Sequence, residues 1–323
     1  MRELAADLDA VCRRMRAERH VALAVHEKPD ADALGAAAGM LDLFAQLGVE
    51  AALYVSEGEL LPMADVLLID ARVVRGAPPE DAALYALDCG GPDRLALPAW
   101  GDVAVNIDHH HDNPQYGEVA FVRGEASSTS ELVCDIARGL GLRPSAHAAT
   151  ALYAGISFDT GHFHHDSTGP STFRAAAWLT ECGTDVRAVY ALMYERRSKA
   201  SLRLWARAVG GARDVAGGRA LLAVVTAEDY AAAGAGPEET DGVVDSLRGA
   251  DGVEVAALVK EQTDGARTRV SLRSETLDVS AIAALRGGGG HKLAAGFSSD
   301  DSPEEVIAWL SSELARRLST ASS

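Results

Sequence analysis

Histidine and aspartate side chains are spaced as metal ligands near the start of the chain. The pattern His26-x3-Asp30-x-Asp32 follows a short apolar run at 20–26, which predicts a strand buried on both faces. Two carboxylates and an imidazole that converge there would repel one another and lose hydration unless a cation joined them. The alternative is that Asp30 or Asp32 only caps a helix that begins near Ala33. This pattern alone therefore leaves metal binding and helix capping open.

Three more clusters of the same chemistry follow along the chain, at the ends of further predicted elements. They are Asp88, the run Asp108, His109, His110 and His111, and Asp159. Ligands of open α/β sheets bind outside the carboxyl ends of the strands, so repeated clusters of this kind indicate one shared site. Carboxylates and imidazoles without cysteine suit Mn²⁺, Mg²⁺ or Fe²⁺ better than a structural zinc ion. The inventory is sufficient for two metal ions that share one bridging carboxylate.

The elements around these clusters alternate between strand and helix. Strands are predicted at 20–26, 50–55, 82–88 and 102–108, and helices at 3–19, 33–48, 128–141, 145–158, 170–182 and 185–194. This alternation predicts an α/β fold with a mainly parallel sheet flanked by helices. Ser127, Ser128 and Thr129 are interpreted as the N-cap of the helix at 128–141.

The C-terminal part of the chain predicts a smaller α+β domain with an antiparallel element. A connecting helix at 201–212 precedes apolar runs at 220–226, 253–262 and 267–275, with TDGA as a hairpin turn, and a helix at 304–318 ends the pattern. We therefore expect a first domain at 1–190, a connecting segment at 191–212 and a second domain at 213–323.

A glycine-rich segment, RGGGGHKLAAGF at 286–297, interrupts this second domain. Consecutive glycines let backbone N–H groups approach a phosphate closely, although a flexible surface loop is the simpler interpretation of glycines alone. Arg273, at the end of a predicted strand, could pair with a terminal phosphate through two N–H groups. A solvated strand arginine is the alternative for that residue.

Charge and composition exclude several classes of function. The 323 residues include 30 basic and 47 acidic side chains, a net charge of −17. Duplex DNA is not an expected partner, because affinity for it comes mainly from neutralising phosphates. No apolar run reaches the roughly 20 residues that span a bilayer, and the first residues mix both charge signs, unlike a signal peptide. Four cysteines without a CxxC pair predict reduced thiols and a cytoplasmic protein without a membrane partner.

Taken in order, these motifs resemble those of a known family. HEKPDADALG, ALDCGGPDR, NIDHHHDN and GISFDTGHF are similar to the four motifs of the DHH phosphoesterase superfamily. RGGGGHKLAAGF is similar to the nucleotide-binding loop of its DHHA1-type second domain. The resemblance spans nearly the whole chain. The length and two-domain arrangement of the chain resemble those of one branch of the superfamily, the short oligoribonucleases (nanoRNases) that also hydrolyse 3′-phosphoadenosine 5′-phosphate. Some relatives in that branch hydrolyse cyclic or linear dinucleotides.

The resemblance implies a site for two divalent metal ions, with Mn²⁺ favoured and Mg²⁺ or another divalent ion as the alternative. The first ion would bind His26, Asp30 and Asp88, and the second would bind Asp32, Asp88, His109 and Asp159, with Asp88 bridging. Two such ions would activate water as the nucleophile, so no covalent enzyme intermediate would be needed.

The histidine run has further implied roles. His110 would contact the phosphate or protonate the leaving group, and Asp108 would orient a neighbouring imidazole rather than bind metal. His111 has no counterpart in the family pattern and is interpreted as a partly exposed loop residue. Three more histidines are interpreted as lining the cleft or facing solvent: His162, His164 and His165.

The resemblance also implies the substrates and the assembly. It favours phosphate binding by the glycine segment, at Gly288, Gly289, Gly290 and His291. The expected substrates are oligoribonucleotides of a few nucleotides, linear or cyclic dinucleotides and 3′-phosphoadenosine 5′-phosphate, with nucleoside 5′-monophosphates as products, and the expected assembly is a homodimer. The alternatives are an inorganic pyrophosphatase or polyphosphatase of the same superfamily, and a nucleotide-binding regulator without turnover.

Overall fold

The computed structural model describes residues 2–56, 63–68, 72–97, 101–195, 197–262 and 268–320. The chain divides into two compact units, Met1–Arg196 and Arg197–Ser323. The predicted hairpin turn TDGA at 263–266 lies outside the described residues. Among the described helices, none combines the length and the hydropathy that crossing a bilayer requires.

The first unit contains a six-stranded parallel sheet whose strand order reverses near its centre. Its described strands are β1 (His20–Ala24), β2 (Glu50–Val55), β3 (Val73–Arg75), β4 (Ala83–Leu87), β5 (Val103–Asp108) and β6 (Val119–Val122). Every neighbouring pair is parallel, in the order β3-β2-β1-β4-β5-β6. The order reverses between β1 and β4, and doubly wound sheets bind ligands beyond the carboxyl ends of the strands at such a reversal. His26 and Asp88 follow these two strands.

The central strands are buried on both faces of this sheet. All residues of β1 after His20 are buried, and β4 and β5 are buried after their first residue. Continuous apolar runs are typical of strands in this position, which is why the sequence predicted them and the parallel sheet is confirmed. The edge strands β3 and β6 were not predicted, because their 3 and 4 residues are too short to show a pattern.

Helices surround this sheet, and the helix that follows β1 has strong end signals. The described helices of the first unit are α1 (Arg2–Ala17), α2 (Ala31–Leu47), α3 (Ala64–Leu67), α4 (Thr129–Leu140), α5 (Ala146–Asp159), α6 (Pro170–Glu181) and α7 (Val186–Tyr190), followed by a π-helical turn at Ala191–Glu195. Asp30 caps α2, because its Oδ1 accepts the N–H groups of Asp32 and Ala33 at 2.9 and 3.1 Å. Gly48 ends α2 in the left-handed region, with φ of 74°.

Helices α2 and α5 approach each other closely because glycines occupy the contact positions. A Cβ atom added at Gly39 would lie 2.7 Å from Cδ2 of Leu152, and one added at Gly155 would lie 2.7 Å from Oδ1 of Asp32. Both distances are below 3.0 Å, so a side chain at either position would force its neighbours to shift. This approach brings Asp32, at the start of α2, near Asp159, at the end of α5.

The second unit is built on a mixed sheet, which confirms the α+β prediction. Its described strands are β7 (Arg213–Val215), β8 (Ala220–Val225), β9 (Val255–Glu261), β10 (Thr268–Ser274), β11 (Gly289–His291) and β12 (Ala294–Ser299), in the order β11-β12-β10-β9-β8-β7. Only β8 and β9 are parallel among these pairs. The described helices are α8 (Lys199–Gly210), α9 (Ala227–Ala233), α10 (Val243–Arg248), α11 (Ser280–Ala283) and α12 (Pro303–Thr320). Leu310 and Leu314 of α12 belong to one buried cluster, and Leu204 of α8 belongs to another.

Candidate metal centre

A first group of ligand atoms gathers at the ends of β1 and β4 and at the start of α2. Nε2 of His26 lies 3.8 Å from Oδ2 of Asp30 and 3.7 Å from Oδ2 of Asp88. One ligand atom from each residue lies within 4.8 Å of the other two. Because Asp30 caps α2 with Oδ1 only, its Oδ2 remains directed at this group. The sequence left helix capping and metal binding open as alternatives. Asp30 can do both, because each role uses a different carboxylate oxygen.

The ring of His26 is oriented for a ligand role. Its Nδ1 atom lies 2.8 Å from the carbonyl oxygen of Glu27, which can only accept a hydrogen bond. In the neutral imidazole the proton is then on Nδ1, and the lone pair is on Nε2, the atom that faces the two carboxylates. A hydrogen bond of this kind on the far nitrogen is the usual support of a metal-binding histidine.

A second group consists of Asp32, His109 and Asp159, again with ligand atoms within 4.8 Å of one another. Nε2 of His109 lies 2.9 Å from Oδ2 of Asp159. The helix predicted at 145–158 is confirmed as α5, and Asp159 is its last residue. The alanine-rich stretch before it favours a helix, and the close packing of α5 on α2 brings its end to the sheet.

Asp88 lies between the two groups and turns one oxygen toward each. Its Oδ2 is 3.7 Å from Nε2 of His26, and its Oδ1 is 3.6 Å from Nε2 of His109. The residue is 2% exposed and has φ of 52°, an uncommon conformation for a non-glycine residue that aspartate tolerates better than most. This arrangement is suited to a carboxylate that bridges two cations.

Burial and mutual repulsion disfavour the charged forms of Asp32 and Asp88. Burial raises the pKa of Asp32 to about 7, and the charge of Asp159 adds to that rise. Burial also raises the pKa of Asp88 well above its usual value, with the charges of Asp32 and Asp30 acting in the same direction. Buried like charges of this density are stabilised by bound cations. The oxygen and imidazole donors therefore fit divalent metal ions.

The same negative charges favour the protonated, charged form of His109. Burial by itself would lower the pKa of His109, but the hydrogen bond to Asp159 and the charges of Asp32 and Asp88 raise it to about 10. A metal ligand must be deprotonated at the coordinating atom, so a bound cation would displace this proton.

Asp108 binds His110 and lies outside all three ligand groups found among the described residues. Its Oδ1 accepts a hydrogen bond from Nδ1 of His110 at 2.7 Å, and its Oδ2 accepts one from Nδ2 of Asn113 at 2.5 Å. Burial would raise the pKa of Asp108, but these hydrogen bonds lower it below its usual value. The hydrogen bond between Asp108 and His110 also raises the pKa of His110. Asn113 was not predicted; its only signal was its place at the end of the motif NIDHHHDN.

His110 also belongs to a third group, with Asp88 and His109. The nitrogen that faces Asp88, Nδ1, is 3.8 Å from Oδ1 of Asp88 and is already hydrogen-bonded to Asp108. This leaves Nε2 of His110 as the atom that could meet a substrate. His111 is exposed at the protein surface.

The start of α4 contributes two contacts that the sequence did not indicate. Ser128 caps this helix by accepting the N–H of Glu131 at 3.0 Å, which confirms the predicted N-cap. The next two N–H groups have no partner within the helix. They bind the carboxylate of Asp32, with Thr129 N donating to Oδ2 at 2.7 Å and Ser130 N donating to Oδ1 at 2.9 Å.

The loop after α5 carries the other histidines of the sequence motif. His162, His164 and His165 are exposed, and none is in a ligand group among the described residues. The ring of His162 is centred 5.4 Å from that of Tyr190, and Nδ1 of His164 donates to the carbonyl oxygen of Gly161 at 2.6 Å. The ring of His165 is centred 4.2 Å from that of His164, so each of the three rings has a described contact.

The second unit contains an open groove of about 770 Å³ beside the glycine segment. Its lining includes the predicted residues Arg273, Gly288, Gly289 and Gly290, together with Arg269 and Ser271, which were not predicted. The side chain of Arg273 is already bound, because its Nε donates to Oδ1 of Asp245 at 2.9 Å. A phosphate in the groove would therefore compete with Asp245 or use the other guanidinium nitrogens.

His291 does not line this groove but lies on the same face of the sheet as Arg273. Ala294 of β12 pairs with Arg273 of β10 on one side and with His291 of β11 on the other. Residues opposite one another in neighbouring strands point to the same face, and two strand spacings amount to about 10 Å. The glycine segment, predicted as a loop, forms β11 here.

Two of the predicted glycines have a packing role within this sheet. A Cβ atom at Gly288 would lie 2.5 Å from Cβ of Phe297, and one at Gly290 would lie 2.7 Å from Cα of Ala295. A Cβ atom at Gly289 would meet no heavy atom within 4 Å. The fold therefore sets no steric limit on a side chain at Gly289.

Comparison with known proteins agrees with the fold and the motifs. Residues 20–156 match the DHH family, N-terminal domain, and residues 217–320 match the DHHA1 domain. The chain is 31% identical over 306 residues to the bifunctional oligoribonuclease and PAP phosphatase NrnA of Thermus thermophilus, covering 93% of this chain and 91% of that protein. It is 34% identical over 193 residues to the cyclic-di-AMP phosphodiesterase GdpP of Geobacillus thermodenitrificans, covering 53% of this chain and 29% of that protein.

A solved structure is similar over almost the full length. The crystal structure of an exopolyphosphatase-related protein from Bacteroides fragilis has a TM-score of 0.84 and 21% identity, covering 94% of each chain. At this identity the similarity shows a common fold. The α/β architecture with a second α+β unit, expected from the sequence, is confirmed.

Proposed function

The chain belongs to the DHH family of phosphoesterases and carries a DHHA1 domain, and from this premise we propose that it hydrolyses short nucleotide substrates at a two-metal site. The proposed substrates are oligoribonucleotides of a few nucleotides, linear or cyclic dinucleotides and 3′-phosphoadenosine 5′-phosphate. The relatives named as oligoribonuclease and PAP phosphatase, and as cyclic-di-AMP phosphodiesterase, support this choice.

The observation that carries the proposal is the position of Asp88. One of its oxygens faces His26 and the other faces His109, at 3.7 and 3.6 Å, so the proposed ligand groups share one carboxylate. The proposed ligands are His26, Asp30 and Asp88 for the first ion and Asp32, Asp88, His109 and Asp159 for the second ion. Two divalent ions held by these residues would supply Lewis-acid activation of water and of the phosphoryl oxygens.

His110 and Asp108 would orient the phosphoryl group and supply a proton to the leaving group. Nε2 of His110 would donate to a phosphoryl oxygen or protonate the leaving alkoxide, since its Nδ1 is bound to Asp108. Asp108 keeps that ring in one orientation and stabilises its protonated form, and Asn113 holds Asp108 in turn. His110 and Asp108 are therefore proposed as the acid and its orienting partner.

The groove of the second unit is proposed to bind a phosphate group of the substrate. Gly289 presents backbone without a side chain, and Arg273 adds a positive charge to the same groove. Gly288, Gly290 and His291 are proposed as further contacts, as the resemblance implies. The chain carries a net charge of −17, and Arg269 and Arg273, the latter paired with Asp245, supply the positive charge at this groove that would attract an anionic substrate.

A substrate panel tests the proposal. The full-length protein is stripped with a chelator, reloaded with Mn²⁺ and assayed with labelled dinucleotide RNA, cyclic di-AMP, 3′-phosphoadenosine 5′-phosphate and pyrophosphate, with kcat/KM measured for each. We expect turnover of at least one nucleotide substrate and release of nucleoside 5′-monophosphate. Asp88→Asn should abolish turnover, whereas Asp112→Asn, which changes an exposed carboxylate near the site, should leave it unchanged.

The other outcomes separate the alternatives. A higher kcat/KM for pyrophosphate than for every nucleotide would favour an inorganic pyrophosphatase and overturn the proposal. Tight nucleotide binding with no product, in protein that holds metal, would favour a regulator without turnover. Turnover that survives Asp88→Asn would remove the shared carboxylate from the mechanism.

The identity of the metal, the assembly and the compartment complete the proposal. The set of carboxylates and imidazoles supports Mn²⁺, and elemental analysis of protein purified without added metal tests it. The resemblance supports a homodimer, and the exposed Phe158 and Phe173 of the first unit offer apolar surface for an interface. Light scattering after size exclusion measures this assembly. The four unpaired cysteines support a reducing, cytoplasmic location.

A further inference from the structure

Thr129, the first residue of α4, contacts carboxylates from both sides of the proposed metal centre. Its main-chain N–H donates to Oδ2 of Asp32 at 2.7 Å, and its hydroxyl donates to Oδ1 of Asp88 at 3.0 Å. Thr129 is fully buried, so neither hydrogen bond competes with bulk water. One residue thereby joins the end of β4 to the start of α2.

The Asp88 carboxylate needs an external partner to hold its orientation. The torsion that rotates a carboxylate is broad and has no sharp preferred value. The imidazoles of His26, His109 and His110 lie 3.6 to 3.8 Å from the oxygens of Asp88, beyond hydrogen-bond distance. Among the contacts described for this side chain, only the Thr129 hydroxyl is close enough to hydrogen-bond.

We propose that Thr129 is a positioning residue that sets the rotation of the Asp88 carboxylate. With Oδ1 held by the hydroxyl, Oδ2 faces His26 and Oδ1 faces His109, the division that a bridging carboxylate requires. This inference rests on the two-metal site of the proposed function. The added claim is that the bridging carboxylate, Asp88, is oriented by Thr129, a residue that is not itself a proposed metal ligand.

The hydroxyl can be tested separately from the backbone contact. Thr129→Val removes the bond to Asp88 and keeps the N–H that binds Asp32, while Thr129→Ser keeps both. Thr172→Val is a matched control, because Thr172 is equally buried and its hydroxyl donates to a buried carboxylate, Oε2 of Glu131, at 3.0 Å. Glu131 belongs to none of the ligand groups among the described residues.

The measurement is Mn²⁺ binding to the full-length, chelator-stripped protein by titration calorimetry, with electron paramagnetic resonance of the loaded protein. Thr129→Val should weaken Mn²⁺ binding by about 10- to 100-fold, the range typical for losing a residue that orients a ligand. It should also reduce the signal of exchange-coupled Mn²⁺ pairs. Thr129→Ser should restore both, and Thr172→Val should bind Mn²⁺ as the wild type does.

Unchanged Mn²⁺ binding in Thr129→Val would overturn the inference, and so would an equal loss in Thr172→Val, which would indicate general destabilisation. If circular dichroism shows that Thr129→Val does not fold, Thr129→Ala replaces it with the same expected result. Wild-type protein that binds no metal would overturn the proposed function itself. Wild-type protein that binds two ions, with Thr129→Val unaffected, would overturn only the role of Thr129.

Discussion

Nε2 of His109 lies 2.9 Å from Oδ2 of Asp159, and this contact joins the end of β5 to the last residue of α5. The hydrogen bond to Asp159 and the charges of Asp32 and Asp88 raise the pKa of His109 to about 10, which favours its protonated form when no cation is bound. Both atoms are proposed ligands of the same ion. Binding of a cation must therefore replace a proton, and this links metal affinity to pH.

Mn²⁺ binding should release protons at neutral pH. His109 carries its proton at pH 7.5, and Asp32, with a pKa raised to about 7 by burial, gains a proton as the pH falls below that value. The apparent affinity for Mn²⁺ should consequently decrease as the pH is lowered from 8 to 6. Calorimetry in two buffers of different ionisation enthalpy counts the released protons. Equal affinity at pH 6 and 8 would contradict this prediction.

The metal-free protein should lose stability as the pH rises from 6 to 9. The folded pKa of His109 is above its ordinary value of about 6.5, so its contribution is complete below that pH and is lost toward pH 10. The raised pKa of Asp32 means that its carboxyl group ionises less readily in the folded than in the unfolded protein. The free energy of unfolding therefore decreases as the pH rises from about 4 to about 7. Thermal unfolding measures the trend, and His109→Gln should reduce its slope.

Adding Mn²⁺ to the stripped protein should restore this stability. At a free concentration of about 100 times Kd, one site adds about 2.7 kcal/mol to the free energy of unfolding. For a unit of this size that corresponds to a rise in Tm of roughly 5 to 10 °C. Ca²⁺ at the same concentration provides a comparison of ion preference. No shift in Tm with any divalent ion would argue against the metal centre.

His110 and His111 should differ sharply in their effect on turnover. His110→Ala should lower kcat by about 10²- to 10⁴-fold, the usual size of a general-acid contribution, and leave the number of bound Mn²⁺ ions unchanged. His110 is not among the proposed ligands of either ion, and its Nδ1 is bound to Asp108. His111→Ala should behave as wild type because His111 is exposed. Loss of metal in His110→Ala would instead identify His110 as a ligand.

Substitutions at two neighbouring glycines, Gly288 before β11 and Gly289 in it, should affect folding and substrate binding separately. Gly288→Ala should destabilise the second unit by about 1 to 3 kcal/mol, because its Cβ would overlap Phe297. Gly289→Ala should fold normally but raise KM by about tenfold, equivalent to roughly 1.4 kcal/mol, since the methyl group occupies the groove. Thermal unfolding and steady-state kinetics measure the two effects. An unchanged KM in Gly289→Ala would remove this position from the substrate site.

Much of the first unit could be predicted because its signals are local. The runs that became β1, β4 and β5 are continuous and apolar, as buried parallel strands are, and their ends carry His26, Asp88 and Asp108. Strands without such runs, β3 and β6, gave no signal. The helix at 145–158 could also be predicted, but only the tight packing of α5 against α2 decides that its last residue, Asp159, lies near Asp32.

The sequence by itself determined the chemistry of the site: the types of its ligands, their association with element ends and the family to which they belong. Only the tertiary structure decided how the oxygens of Asp88 divide between two groups and what holds them. Thr129 is 41 residues from Asp88 and 97 residues from Asp32, and at 128–141 the local pattern indicated only a helix N-cap. Contacts of that separation depend on how strands and helices pack, and no local spacing encodes them.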